Sequence, residues 1–216
     1  LIDTGFNAET AKRRGRDLIR CPTEGLQLVG IKAQEIIEVI VTHLHYDHIG
    51  NFDLFPNATY HLQDREMAYA TGRNMKQSVF SGAYDVSHVT GMVHEVYAGR
   101  VNFIDGDKEL APGLSVHHIG GHTDGLMSVR IHTARGWVVL ASDASHLYAN
   151  INSANPFPIV YNVGDMVQGF DKLLTLADTP DHIIPGHDPL VLEKYPAVSN
   201  ELKGIAVRLD LAPTGD

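Results

Sequence analysis

Thr42-His-Leu-His-Tyr-Asp-His-Ile-Gly50 is the stretch on which the reading of this chain turns. It packs His43, His45, Asp47 and His48, all side chains of metal-ligand type, into one short segment directly after the apolar run Val39-Ile40-Val41. In extended backbone, side chains two apart point the same way, so His43 and His45 can grip one ion together. A turn after them aims Asp47 and His48 at a second position nearby. A solvated loop has no use for imidazoles and a carboxylate at this density.

Working outward, the remaining donors each fall at a strand-to-loop junction. His122 lies in Gly120-Gly-His-Thr-Asp-Gly125, after the apolar run 114–119. Asp143 closes Trp137-Val-Val-Leu-Ala-Ser-Asp143, and His187 sits in Ile183-Ile-Pro-Gly-His-Asp188. Glycines beside these donors let backbone come close, as a pocket on the rim of a sheet requires. The seven donors exceed what one tetrahedral zinc takes. They suit two ions, each with three ligands of its own and one carboxylate shared. Zn2+ is the default for so many imidazoles, with Mn2+, Fe2+ or Co2+ as alternatives for a mixed N/O site.

The order H-x-H-x-D-H, then G-H-T, then an Asp after a strand, then G-H-D, resembles the metallo-β-lactamase superfamily. The tracts Leu1-Ile-Asp-Thr-Gly5, Gly121-His-Thr-Asp-Gly-Leu-Met-Ser128 and Ser142-Asp-Ala-Ser145 are most similar to its N-acyl-homoserine lactonase branch. That resemblance, running from Asp3 to His187, implies an α/β fold, a four-layer αβ/βα sandwich whose first N-terminal strands are missing from this chain. It further implies that His43, His45 and His122 hold one ion and Asp47, His48 and His187 the other, with Asp143 bridging. The implied activity is a dinuclear metal-dependent hydrolase opening a lactone, in quorum quenching an N-acyl homoserine lactone. A hydroxide between two cations would attack, because such ions bring the pKa of water from about 15.7 to about neutrality. Asp47 is the expected proton shuttle to the departing alkoxide. The chain departs from the branch at His146, where the best-known lactonases place a Tyr that contacts the lactone carbonyl. Either the His146 imidazole supplies that hydrogen bond, or Tyr148 swings in, or His146 only packs against the loop.

Composition agrees with a compact enzyme. With 216 residues and 44% apolar content, one domain over 1–216 is expected, large enough for a substantial core. A formal charge of -9 argues against a nucleic-acid binder, and the basic run Lys12-Arg-Arg-Gly-Arg16 reads as a solvated helix face. Cys21 is the only cysteine, so no internal disulfide forms. No run reaches the length of a membrane span, so the expected location is cytoplasmic, with a lost N-terminal targeting segment left open by a start that reads as mid-strand. The expected partner is a small-molecule lactone or ester, with a homodimer contact open.

Periodicity predicts helices over 7–19 (Asn7 as N-cap), 31–38, 63–71 and 163–177. Strands are expected over 39–41, 58–62, 101–104, 114–119, 127–132, 137–141 and 182–184. The 72–99 segment is the least periodic. It reads as a surface helical pair, a pocket flank for an acyl chain, or a dimer contact. Asp3 and Thr42 are candidates to orient ligand imidazoles, Asp3 equally a turn residue. Asp188 reads as a loop cap. His117 and His118, adjacent on one strand, cannot both face the metals, and His61, His88, His94, His132 and His182 lack ligand-type neighbours. Rival functions on the same donors are a thioesterase of glyoxalase II type or another carboxylic-ester hydrolase. Outside catalysis, a metal-binding structural or regulatory domain remains.

Overall fold

A computed structural model describes residues 1–214, so the last two residues of the expected 1–216 domain lie outside the described residues. The chain forms two compact units, Leu1–Asp105 and Gly106–Asp216.

The first unit is built on a parallel sheet of β1 (Glu38–Ile40), β2 (Thr59–Gln63) and β3 (Val101–Ile104), in that order. Helices α1 (Ala8–Arg14) and α2 (Pro22–Leu28) precede the sheet. The connections carry α3 (Tyr46–Ile49), then α4 (Asp64–Ala70), α5 (Ser78–Ser81) and α6 (Val86–Tyr97). Parallel neighbours need such crossovers, and the buried runs Val39-Ile40-Val41 and Tyr60-His61-Leu62 are what a sheet covered on both faces demands. The register pairs Ile40 with His61, so the chain leaves β1 at Val41 and delivers Thr42 and the His43–His48 stretch at the carboxyl edge. Ligand sites in parallel sheets form at that edge.

The second unit is a five-stranded sheet in chain order: β4 (Lys108–Ala111), β5 (Leu114–His118), β6 (Met127–Thr133), β7 (Gly136–Ser142) and β8 (Ile183–Pro185). The first four strands run antiparallel, and β8 lies parallel to β7 after α7 (Tyr148–Asn152) and α8 (Val163–Leu176). Helix α9 (Leu190–Lys194) follows β8. Ile119, Leu126, Val139, Ala141, Leu173 and Ile183 make its main core cluster. Because β7 and β8 are parallel and Ser142 is in register with Pro185, Asp143 and His187 leave the sheet at the same edge.

Several boundaries differ from the sequence expectation, each for a local reason. The 7–19 helix stops at Arg14 because Gly15 takes the left-handed conformation at φ +61° and returns its N–H to Ala11 and Lys12. Asn7 does cap α1, accepting from the Thr10 N–H. The 31–38 helix shrinks to a single 3-10 turn, Ala33–Glu35, since β-branched Ile36 and Ile37 lead into extended backbone. Helix α2, with Pro22 at its first position, and strand β4 had not been expected. The basic patch is more than a solvated face. Arg13 pairs with Asp85, while Arg14 donates to the carbonyls of Gly82 and Tyr84 and stacks over Tyr46 at 4.0 Å. The 72–99 segment is helical in pieces, with Met92 in the core and Val79 and Val86 exposed. Among the described residues no helix is long and apolar enough to cross a membrane.

Candidate metal centre

The first unit gathers His43, His45 and His48 in a buried cluster. His43 Nε2 and His45 Nδ1 are 3.0 Å apart, and the His43 and His48 rings lie 4.0 Å apart. Two imidazole nitrogens that close, each with a lone pair to offer, fit a shared cation. Asp47 stands in the first turn of α3, partly exposed, with His45 as the residue before the helix.

Asp3 and Thr42 orient this set. Asp3 holds a left-handed backbone at φ +52°, which turns its carboxylate back over the ligand stretch. Its Oδ1 accepts from the Thr42 N–H, and its Oδ2 accepts from the Thr42 hydroxyl and from His48 Nδ1, each at 2.8 Å. The Thr42 hydroxyl is 3.1 Å from His43 Nδ1. Tying Nδ1 to an acceptor fixes the tautomer and leaves Nε2 as the electron-pair donor. Asp3→Asn keeps shape and tolerates the positive φ, but presents an amide N–H to His48. It is expected to weaken divalent-ion affinity by about 10–100-fold, the usual effect of losing such a partner. Chelator competition measures this, and an affinity equal to the parent's would refute the orienting role.

Glu66 and Tyr84 support the same stretch, and the sequence carried no sign of either. The fully buried Glu66 carboxylate accepts from the Leu44 N–H at 2.9 Å and from the Tyr84 hydroxyl at 2.8 Å. Leu44 lies between the two histidines, so this bond holds their backbone, while the Tyr84 ring meets His45 edge-on at 4.5 Å.

The second unit gathers its donors on one carboxylate. His146 Nε2 is 2.8 Å and His122 Nε2 3.2 Å from Asp143 Oδ2, and His187 Nε2 is 3.0 Å from Oδ1. Asp143 is buried, His146 partly so, and His187 exposed. His122 Nδ1 donates to the Ile159 carbonyl at 2.7 Å, which again leaves Nε2 as the donor atom. Backbone bonds from Gly186 to Ser145 and from His187 to His146 lace the turns that follow β7 and β8 together. Ser142, just before Asp143, sits at φ +50°, a strained conformation of the kind that collects at functional sites. Burial holds the His146 imidazole below the ordinary histidine value, with Asp143 acting the other way.

Tyr148 lines a cavity of about 220 Å³ with Ile151, Asn152, Leu174, Pro180 and Ile183. Lys194 lies 4.4 Å over its ring, and burial beside Tyr195 raises its hydroxyl pKa. Asp188 is the cap the sequence suggested, accepting from the N–H groups of Tyr148 and Leu190. His117 pairs with Asp107 at 2.9 Å, and His118 Nε2 is 2.7 Å from the Asp124 carbonyl, so both serve other ends.

The metallo-beta-lactamase superfamily profile matches residues 1–190. This chain belongs to the metallo-β-lactamase superfamily. It is 30% identical over 155 residues to an N-acyl homoserine lactonase of a Bacillus species, an alignment covering 70% of this chain and 52% of that protein. The chain thus spans about half the length of the curated relatives it matches first. Its fold matches an N-acyl homoserine lactone hydrolase solved with N-hexanoyl-L-homoserine at the catalytic metal center. The TM-score is 0.71 at 23% identity, over 87% of this chain and 75% of that one. It also matches AidC, a dizinc quorum-quenching lactonase solved with its product. There the TM-score is 0.66 at 19% identity, over 88% and 68%. The shared architecture is the mixed α/β one of this superfamily, with two sheets and helices. The donor chemistry fits the superfamily's metals: imidazoles whose far nitrogens are tied to oxygen, and a buried carboxylate among them.

Proposed function

We propose that this chain is a dinuclear metal-dependent hydrolase that opens lactones, with N-acyl homoserine lactones as the favoured substrates and zinc as the favoured metal. The observation that carries the reading is the convergence of imidazole nitrogens at 2.8–3.2 Å on buried Asp143. The lactonase relatives support the substrate class. In this reading His43, His45 and His122 would hold one ion and Asp47, His48 and His187 the other, with Asp143 as the carboxylate they would share. Bound there, the ions supply Lewis acidity, bringing the pKa of water toward neutrality and drawing electrons from a carbonyl.

The chain's own residues do the rest. Asp3, Thr42, Glu66 and the Ile159 carbonyl hold the donors at fixed angles, so no reorganisation is needed as charge develops. Asp47 takes the proton released when water adds to the lactone carbonyl. It returns that proton to the ring oxygen as the acyl C–O bond breaks, giving an open hydroxy acid. Asp47→Asn is expected to lower kcat by about 10²–10⁴-fold, the range for a lost general acid–base. The readout is kcat at saturating metal, and a kcat within a factor of a few of the parent's would remove Asp47 from proton transfer.

The reading is tested by a hydrolysis screen of the metal-loaded chain. Acyl-homoserine and simple aliphatic lactones are compared with thioester, β-lactam and phosphodiester substrates. Highest kcat/KM on an acyl-homoserine lactone is expected. Preference for thioesters, or no turnover of any lactone, overturns it.

A further inference from the structure

We infer that His146 is itself a metal ligand, so that Asp143, His146 and His187 form a three-donor cation site contained wholly in the second unit. The inference rests on the reading of Asp143 and His187 as ligands in the proposed function, and adds an eighth donor to it.

Position comes first. One ligand atom from each of Asp143, His146 and His187 lies within 4.8 Å of the others, which is the spacing one ion can span. The His146 Nε2 to Asp143 Oδ2 distance, 2.8 Å, is shorter than that of either neighbouring imidazole, at 3.0 and 3.2 Å. All three fall near the ~3.3 Å edge of a tetrahedron with metal–nitrogen bonds of about 2.0–2.1 Å. His146 is therefore placed on the carboxylate in the same way as the two histidines whose motifs mark them as ligands. The His146 and His187 rings meet edge to face at 4.7 Å.

Rigidity is the second point. Phe157, itself buried, stacks flat on the His146 ring at 3.4 Å with an interplanar angle of 13°. The His146 carbonyl accepts the His187 N–H at 2.9 Å, so backbone and ring are both fixed. A side chain meant to swing toward a substrate gains nothing from such a clamp. A ligand does, because a fixed imidazole loses little entropy on coordination. The same geometry disfavours the hydrogen-bond-donor role suggested by the sequence, since Nε2 is directed at Asp143 rather than outward.

The test is a Co2+ titration of the chelator-stripped full chain. Visible absorption and competition with a chromophoric chelator are followed for the parent, His146→Phe and His146→Gln. Phe preserves the stack on Phe157, and Gln covers the case in which the Phe variant fails to fold, with circular dichroism as the check. Loss of the ligand is expected to weaken one of two ions by about 100-fold or more, beyond the ~10–100-fold typical of outer partners, and to change the Co2+ spectrum. A parent that binds one ion, lost on substitution, keeps His146 as a ligand and overturns only the two-ion reading. Two ions bound with parental affinity and spectrum in both variants overturn the inference, whatever happens to turnover.

Discussion

Asp143→Asn is expected to lower kcat/KM by at least about 10³-fold, the rate equivalent of about 4 kcal/mol of lost stabilisation in a metal-assisted step. The substitution changes almost no volume, so packing is not the cause. It removes a negative charge from a buried position where imidazole nitrogens converge at 2.8–3.2 Å. It also replaces one acceptor oxygen by an N–H₂ group that faces those same nitrogens. A neutral amide cannot balance two divalent cations, and its donor end opposes any imidazole that points an N–H inward. Metal content is expected to fall together with the rate. Measuring both by mass spectrometry and steady-state kinetics separates this cause from simple misfolding. An Asn variant that keeps its ions and its kcat/KM would show that Asp143 is not shared between them.

Gly121→Ala is expected to destabilise the chain by about 2–5 kcal/mol, combining about 1–2 for the left-handed backbone with about 1–3 for overpacking. Gly121 stands at φ +82°, and a Cβ built on it meets the Met166 N and Cα at 2.5 Å. No side-chain rotation relieves that contact, because the neighbour is the backbone of α8. The Gly121 carbonyl also accepts from the N–H groups of Tyr161 and Asn162, and the next residue is His122, a proposed ligand. Any shift is therefore transmitted to His122. For a chain of this size the melting temperature is expected to drop by about 10 °C. Gly99→Ala is the internal comparison: φ is +71°, yet nothing lies within 4 Å, so only the backbone cost of about 1–2 kcal/mol is expected. Similar melting temperatures for the two variants would contradict the close-approach argument.

How legible this was in the sequence depended on the range of the interaction. His43, His45, His122, Asp143 and His187 could be proposed as donors because each is a ligand-type residue that closely follows a strand, and strands announce themselves through local apolar runs; His48, inside α3, was proposed from its spacing to His43 and His45. The parallel pairing of β7 and β8 then follows from the helical patterns between them, and it alone brings Asp143 and His187 to one edge. Asp3 was half readable, since Asp-Thr-Gly fits a turn as well as a hydrogen bond to a distant imidazole. Phe157, Glu66, Tyr84 and the Ile159 carbonyl were not readable. They are ordinary residue types whose roles arise from packing against donors 11 to 39 residues away in the chain, and no local pattern encodes that. The Tyr148 contacts were hidden for the same reason. Proximity to Asp143 in sequence said nothing about the start of α7, where the backbone turns the ring toward Lys194. Helix ends were lost wherever one residue decided them, as Gly15 does for α1.

The most direct measurement is metal content set beside turnover in the same preparation. Two divalent ions per active chain, lactone hydrolysis abolished by thorough chelation, and recovery on adding Zn2+ or Co2+ are the expected results. Full activity with a single ion, or turnover that survives stripping, contradicts the account.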